Sequence, residues 1–276
     1  MKIELLYDGL EVYPEDGFLL DCPLLGVMDG ISGVYYPGGR QKKPLDFNGK
    51  TGGQMAVHTL KRCLVDFPDD TDLVTRVDLA SNILRDVNKE NGVSLEEPEY
   101  LASVVFVIAK IKEEGRAELI QIGDCLAVWI SKDGNIGATP NQCFSRDMEL
   151  REKIAKLMQK HKGNRENMWR EFGPLLIESR KRHVNRSYGI LNGQERVKNF
   201  LNWFSLRNLQ TLLLFSDGFI NYPDSRNEVA LARTMIEQYK KGGLEAILEA
   251  TRKLEEKQKE TSHTDKEEAS AIAIEF

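Results

Sequence analysis

The chain has 276 residues, of which 41% are hydrophobic and 29% charged, and a formal net charge of −5. A chain of this length buries a sizeable core without disulfide or metal staples. Its acidic balance gives no electrostatic footprint for nucleic acid or an anionic membrane surface. Cys22, Cys63, Cys125 and Cys143 lie far apart with no Cys-x-x-Cys spacing, so they read as reduced thiols, three of them in apolar surroundings. The start, Met1-Lys2-Ile3-Glu4, has no long apolar segment, and no run approaches the roughly 18 apolar residues that span a bilayer. The expectation is a cytoplasmic protein.

Ile3 to Tyr7 is a short apolar strand. Glu15-Asp16-Gly17 leads into Phe18-Leu19-Leu20, a turn and a second strand from Leu24 to Met28, which together predict a hairpin with acids at its ends. That second strand is expected to break off at Asp29-Gly30. Tyr35 to Gly53 is rich in Gly, Pro, Lys and Arg without periodicity and reads as a mobile loop. Ala56, Leu60, Cys63, Leu64 and Phe67 form one helical stripe. A second helix, capped by Asp70 or Thr71, carries Val74, Val77, Ile83, Leu84 and Val87 and stops at Asn91-Gly92.

Three closely spaced strands follow, Leu101 to Ile111, Ala117 to Ile122 and Cys125 to Ser131. Their short connections require antiparallel pairing. Gly123-Asp124 separates the last two at a bend that would expose a carboxylate. Residues 145–186 are strongly charged with helical spacing and predict either a solvated helical face or a substrate-facing insertion. Leu212 to Phe215 is an apolar strand ending at Ser216-Asp217-Gly218. Helical patterns return at Val229 to Tyr239 and Leu244 to Leu254, and Ala269 to Ile274 closes the chain as a strand. Strands and helices in this order make an α+β fold of antiparallel sheets covered by helices.

The acids at strand ends are Glu15, Asp16, Asp29, Asp124, Asp217 and the group Asp265, Glu267 and Glu268. Carboxylates that converge without Arg or Lys among them repel one another, and divalent cations relieve the repulsion. All-oxygen ligands point to Mg²⁺ or Mn²⁺ rather than zinc. Two such ions can activate a bridging water for in-line attack on a phosphate.

These residues resemble the metal-dependent protein phosphatases of type 2C. Glu15 to Phe18 resembles the family's Glu-Asp motif, and Gly26 to Gly33 its Val-x-Asp-Gly-x-x-Gly motif. Gly52 to Leu60 resembles the start of the first helix, Ala102 to Ala109 the Gly-Ser/Thr-Ala strand, and Ile122 to Cys125 the Gly-Asp-Ser motif. Leu213 to Phe219 resembles the Ser-Asp-Gly block, Glu267 to Ile272 the closing strand, and Tyr188 to Gly193 a stretch seen in prokaryotic members.

The resemblance implies a four-layer αββα architecture: a central β-sandwich of two antiparallel sheets flanked by pairs of helices. It implies one phosphatase-like catalytic domain over residues 1–276, with a charged helical insertion at about 145–186. The implied activity is hydrolysis of phosphoserine and phosphothreonine by water bridging two Mn²⁺ or Mg²⁺ ions, with a third ion as an option. Asp29 would bridge both ions, the Gly30 carbonyl would bind one, and Asp217 would bind on the other side. Glu15 and Asp16 would act directly or through water, and Asp124 would join Asp217 at the third position. The implied partners are a phosphorylated protein and a cognate Ser/Thr kinase.

Three positions depart from the family pattern. In the register set by Ser270 the last ligand falls on Glu267, with Asp265 as the alternative. The phosphate-binding arginine position is Glu11, leaving Arg40, Lys42, Lys43 or another base as the substitute. The histidine position after Asp-Gly is Ile31. Two alternatives stay open: a catalytically weak or inactive regulatory binding module on the same fold, and a hydrolase of small phosphorylated molecules.

Overall fold

Two five-stranded sheets, every strand pair antiparallel, face each other at the centre of the molecule. The computed structural model describes residues 1–9, 13–68, 71–220, 227–262 and 268–276, with the side chains of 258–262 excepted. One sheet has the order β1 (Lys2–Asp8), β10 (Ala269–Glu275), β9 (Leu209–Phe215), β6 (Leu126–Ser131), β7 (Ile136–Ala138). The other runs β2 (Gly17–Asp21), β3 (Leu24–Ile31), β4 (Ser103–Lys112), β5 (Arg116–Ile122), β8 (Asn202–Leu206).

Alternation along each strand builds the layers. Leu25 and Val27 of β3, Val105 and Val107 of β4, Leu212 and Leu214 of β9, and Ile272 and Ile274 of β10 fill the space between the sheets. The intervening Met28, Val104, Phe106 and Ile108 face outward onto α1 (Gly52–Val65) and α2 (Leu73–Glu90). On the far side, Leu213, Phe215, Ala269, Ala271 and Ala273 meet α5 (Glu228–Ser262). The small alanines of β10 let that helix approach closely. The backbone of α5 leaves helical geometry at Gly242 and Gly243, as the two separate sequence patterns anticipate. The expected α+β sandwich with helices on both faces is therefore observed. The charged stretch forms α3 (Phe144–Lys160) and α4 (Arg165–His183), which pack on each other through Leu150, Leu157, Met168 and Phe172.

Three local expectations change. β3 does not break off at Asp29-Gly30: the ladder continues through Asp29↔Val105 and Gly30↔Val104 to Ile31↔Ser103, because β4 supplies partners for the whole stretch. The second helix is capped by Asp72, whose side chain accepts from Thr75 N, and Val74 and Ile83 face outward while Leu73 and Ala80 are buried; Asp70 lies outside the described residues. The short strands β7 and β8 carried too few residues to register as periodic.

Leu214 is fully buried between the sheets. Leu214→Ala removes three carbons with little room to collapse, so it should cost about 2–5 kcal/mol, read from the urea unfolding midpoint at unchanged slope.

Candidate metal centre

The strand period decides where the principal acid points. Asp29 shares parity with Leu25 and Val27, so its side chain lies on the face that looks across at the other sheet. Directly across, β9 ends and Asp217 begins the short helical turn Asp217–Phe219. Glu15 and Asp16 precede β2, and Glu268 precedes β10. Ends of two strands from each sheet thus meet at one rim of the sandwich. Glu15, Asp16, Asp29, Asp217 and Glu268 line a single cavity of about 320 Å³ there, walled by Tyr13, Gly30 and Tyr35.

Three of the five carboxylates, Glu15, Asp16 and Glu268, are held by groups that sequence spacing did not reveal. Glu15 accepts from the backbone N–H of Ser32 at 3.1 Å and from the hydroxyls of Ser32 and Thr51. Thr51 is also the N-cap of α1, in a reciprocal capping box with Gln54. The positive end of that helix therefore sits against Glu15. Asp16 accepts from Ser216 Oγ at 2.8 Å. Glu268 accepts from the Glu15 and Asp16 backbone N–H groups at 2.8 and 3.1 Å and from the Tyr7 hydroxyl.

Close backbone approach makes this possible. A side-chain carbon on Gly30 would lie 2.7 Å from the carbonyl oxygens of Glu15 and Gly53, and one on Gly218 would lie 2.0 Å from the carbonyl oxygen of Glu268. Neither position accepts a larger residue without moving a strand that carries an acid.

Burial and mutual repulsion dominate the electrostatics. Desolvation pushes the Asp29 carboxyl well above its ordinary value, and the charges of Asp217, Asp16, Asp124 and Glu15 push it further. Desolvation raises Asp16 to about 7, with Glu268 and Glu15 adding to it against the hydroxyl hydrogen bonds. Glu15 is also raised by burial, which the Ser32 and Thr51 hydrogen bonds oppose. No Lys or Arg lines the cavity among the described residues.

Asp124 does not line the cavity. Its charge reaches Asp29, but its carboxylate lies with the Cys143 thiol and Asp147, their ligand atoms within 4.8 Å of one another, and one of its oxygens is buried without a hydrogen-bond partner. Glu267 and Asp265 lie outside the described residues, as does Glu11; the acid placed in the cavity ahead of β10 is Glu268, one residue beyond the register inferred from Ser270. The four cysteines are free, and all but Cys22 are buried. Among the described residues, no helix is long and apolar enough to cross a membrane.

The family model of protein phosphatase 2C matches residues 45–257. The chain belongs to that family. No curated protein sequence matches it. Its structure is similar to the Mycobacterium tuberculosis serine/threonine phosphatase PstP/Ppp, at 16% identity and TM-score 0.56 over 100% of this chain and 98% of that one. It is also similar to the Staphylococcus aureus serine/threonine phosphatase Stp1, at 18% identity and TM-score 0.55 over 100% and 94% of the two chains. A third similar structure is the PstP catalytic domain in complex with two manganese ions, at 16% identity and TM-score 0.52, covering 99% of this chain and 96% of that one. At these identities the likeness establishes the fold.

The raised carboxyls give a pH prediction for this phosphatase-fold protein without metal. Folded Asp16 and Asp29 bind protons more tightly than in the unfolded chain, so between about pH 4 and about pH 7 the folded state holds more protons. Stability should therefore fall as pH rises through that window, read as a declining thermal midpoint in chelator, and saturating Mn²⁺ should flatten the decline.

Proposed function

We propose that this chain is a divalent-cation-dependent phosphatase of phosphoserine and phosphothreonine in proteins. The observation that carries the reading is the convergence of Glu15, Asp16, Asp29, Asp217 and Glu268 on one cavity with no cation in its lining. The donor set fits the group the family implies. Its donors are hard oxygens, and its carboxyls are pushed up by burial and by mutual repulsion that a divalent cation would cancel. Mn²⁺ or Mg²⁺ bound there supplies Lewis-acid polarisation of phosphoryl oxygens and acidification of water.

The chain's own residues supply position. Asp29, rooted in the paired backbone of β3, is the central ligand, with the Gly30 carbonyl beside it and Asp217 reaching from the opposite sheet. Asp16 is oriented by Ser216, and Glu15 by Ser32 and Thr51. Glu268 closes the set and ties it to β10, while Asp124, outside the cavity beside Cys143 and Asp147, is the candidate for a further ion. The whole chain acts as one catalytic domain, with α3 and α4 as its helical insertion. Its partners are a phosphorylated protein and the kinase that phosphorylates it.

A regulatory module is the second reading, favoured by the engagement of Glu15 with Ser32 and Thr51, which leaves fewer lone pairs for an ion. Calorimetry separates the two: the phosphatase binds Mn²⁺ at two sites, the module at none.

Purified protein should hydrolyse an aryl phosphate and a phosphothreonine peptide in Mn²⁺ and stop in chelator. Asp29→Asn and Asp217→Asn should each lower kcat/KM by about 100-fold or more, since even outer-shell changes at metal sites cost roughly 10- to 100-fold. Metal-independent turnover, or none on either substrate, removes the proposal.

A further inference from the structure

A protein cation beside the metal centre would add a second hold on a phosphate monoester dianion, and the arginine position of the family pattern is occupied by Glu11. Among the sequence candidates, Arg40 is committed elsewhere, paired with Glu97 at 2.8 Å and stacked over Tyr100. A second cavity, of about 670 Å³, adjoins the acidic one and shares Glu15, Gly30 and Tyr35 with it. The cations in its lining are Lys42, which is exposed, and Arg180, which is partly buried.

Arg180 is placed by α4. Trp169, Leu176 and Arg180 recur at seven and four residues, so one face of that helix lines the second cavity. The helix is docked on the loop after β3 where Gly173 leaves room for the Tyr36 ring, which a side-chain carbon would meet at 2.5 Å. Arg180 Nη1 donates to the Ser32 carbonyl at 3.0 Å, and Ser32 in turn donates to Glu15. The guanidinium is therefore fixed two residues beyond Gly30, with one of its five donors used by Ser32.

We propose that Arg180 is the phosphoryl-binding cation of this site, gripping substrate oxygens where the two cavities meet. The assignment rests on the phosphatase reading for its substrate, but phosphate binding can be measured without turnover. A neighbouring like charge supports it. Arg146, stacked over Tyr188, sits close enough that burial and its charge lower Arg180 to about 10, still fully protonated at neutral pH. A dianion beside Arg180 relieves that repulsion. A planar fork matches two phosphoryl oxygens at once, which an ammonium cannot do.

The test is calorimetric titration of inorganic phosphate into the Mn²⁺-loaded protein. Arg180→Gln should weaken phosphate binding about 10- to 100-fold, the usual range for a lost charge-assisted pair, while the variant still binds Mn²⁺ and unfolds cooperatively. Arg180→Lys, which keeps the charge and the helix surface, should bind phosphate with intermediate affinity. It stands as the deciding variant if Arg180→Gln fails to fold. Lys42→Gln should change affinity less than about twofold, as exposed cations contribute little. Wild-type affinity in Arg180→Gln or Arg180→Lys, or no phosphate binding by the wild type, overturns the assignment. Arg180-dependent phosphate binding without turnover of any phosphoester removes the phosphatase reading and leaves the assignment standing.

Discussion

Everything at the rim of this sandwich depends on one unfavourable fact: several carboxylates are held together where water is scarce. Left alone, Asp29 and its neighbours would keep protons or move apart. The fold prevents the second outcome by rooting the acids in paired backbone or binding them to it. Asp29 is inside a strand with partners on both sides, and Glu268 is clamped by two backbone N–H groups from the segment it faces. Repulsion is therefore stored in raised proton affinity, which is the condition under which a divalent cation is bound strongly.

The same constraint explains why the supporting groups are small and polar. Ser32, Thr51 and Ser216 donate to the acids without adding positive charge, so they orient the carboxylates without competing for the place of a cation. Gly30 and Gly218 let backbones close on each other so that both sheets can reach the same point. Positive charge enters from one side, along α4, where Arg180 stands between the apolar wall of Trp169 and Leu176 and the acids. The acidic cavity thus opens onto a second one whose lining carries Arg180.

Local chemistry made much of this legible in advance. Alternating and continuous apolar runs named the long strands, and the glycine pair between Tyr239 and Leu244 separated the two halves of α5. Asp29 and Asp217 stood out because each follows an apolar run and precedes glycine. The Thr51-x-x-Gln54 capping box emerged only with the structure, and nothing within its own few residues linked Thr51 to Glu15, which lies 36 positions away. β7 and β8 escaped because three and five residues carry almost no periodic signal.

The sequence by itself determined the longer elements, the type of sheet, the oxygen-rich chemistry of the acids and the absence of disulfide spacing, since all of these follow from neighbours within a few positions. Only the tertiary structure decided which acids share a cavity. Ser216 meets Asp16 across 200 positions and Glu268 meets Glu15 across 253, where β10 pairs with β1 on one side and β9 on the other and so joins the two ends of the chain. Strand alternation turns a one-residue shift into a change of face. For that reason the order of the acids could be read from the sequence, whereas the entry of Glu268, the retreat of Asp124 and the arrival of Arg180 could not.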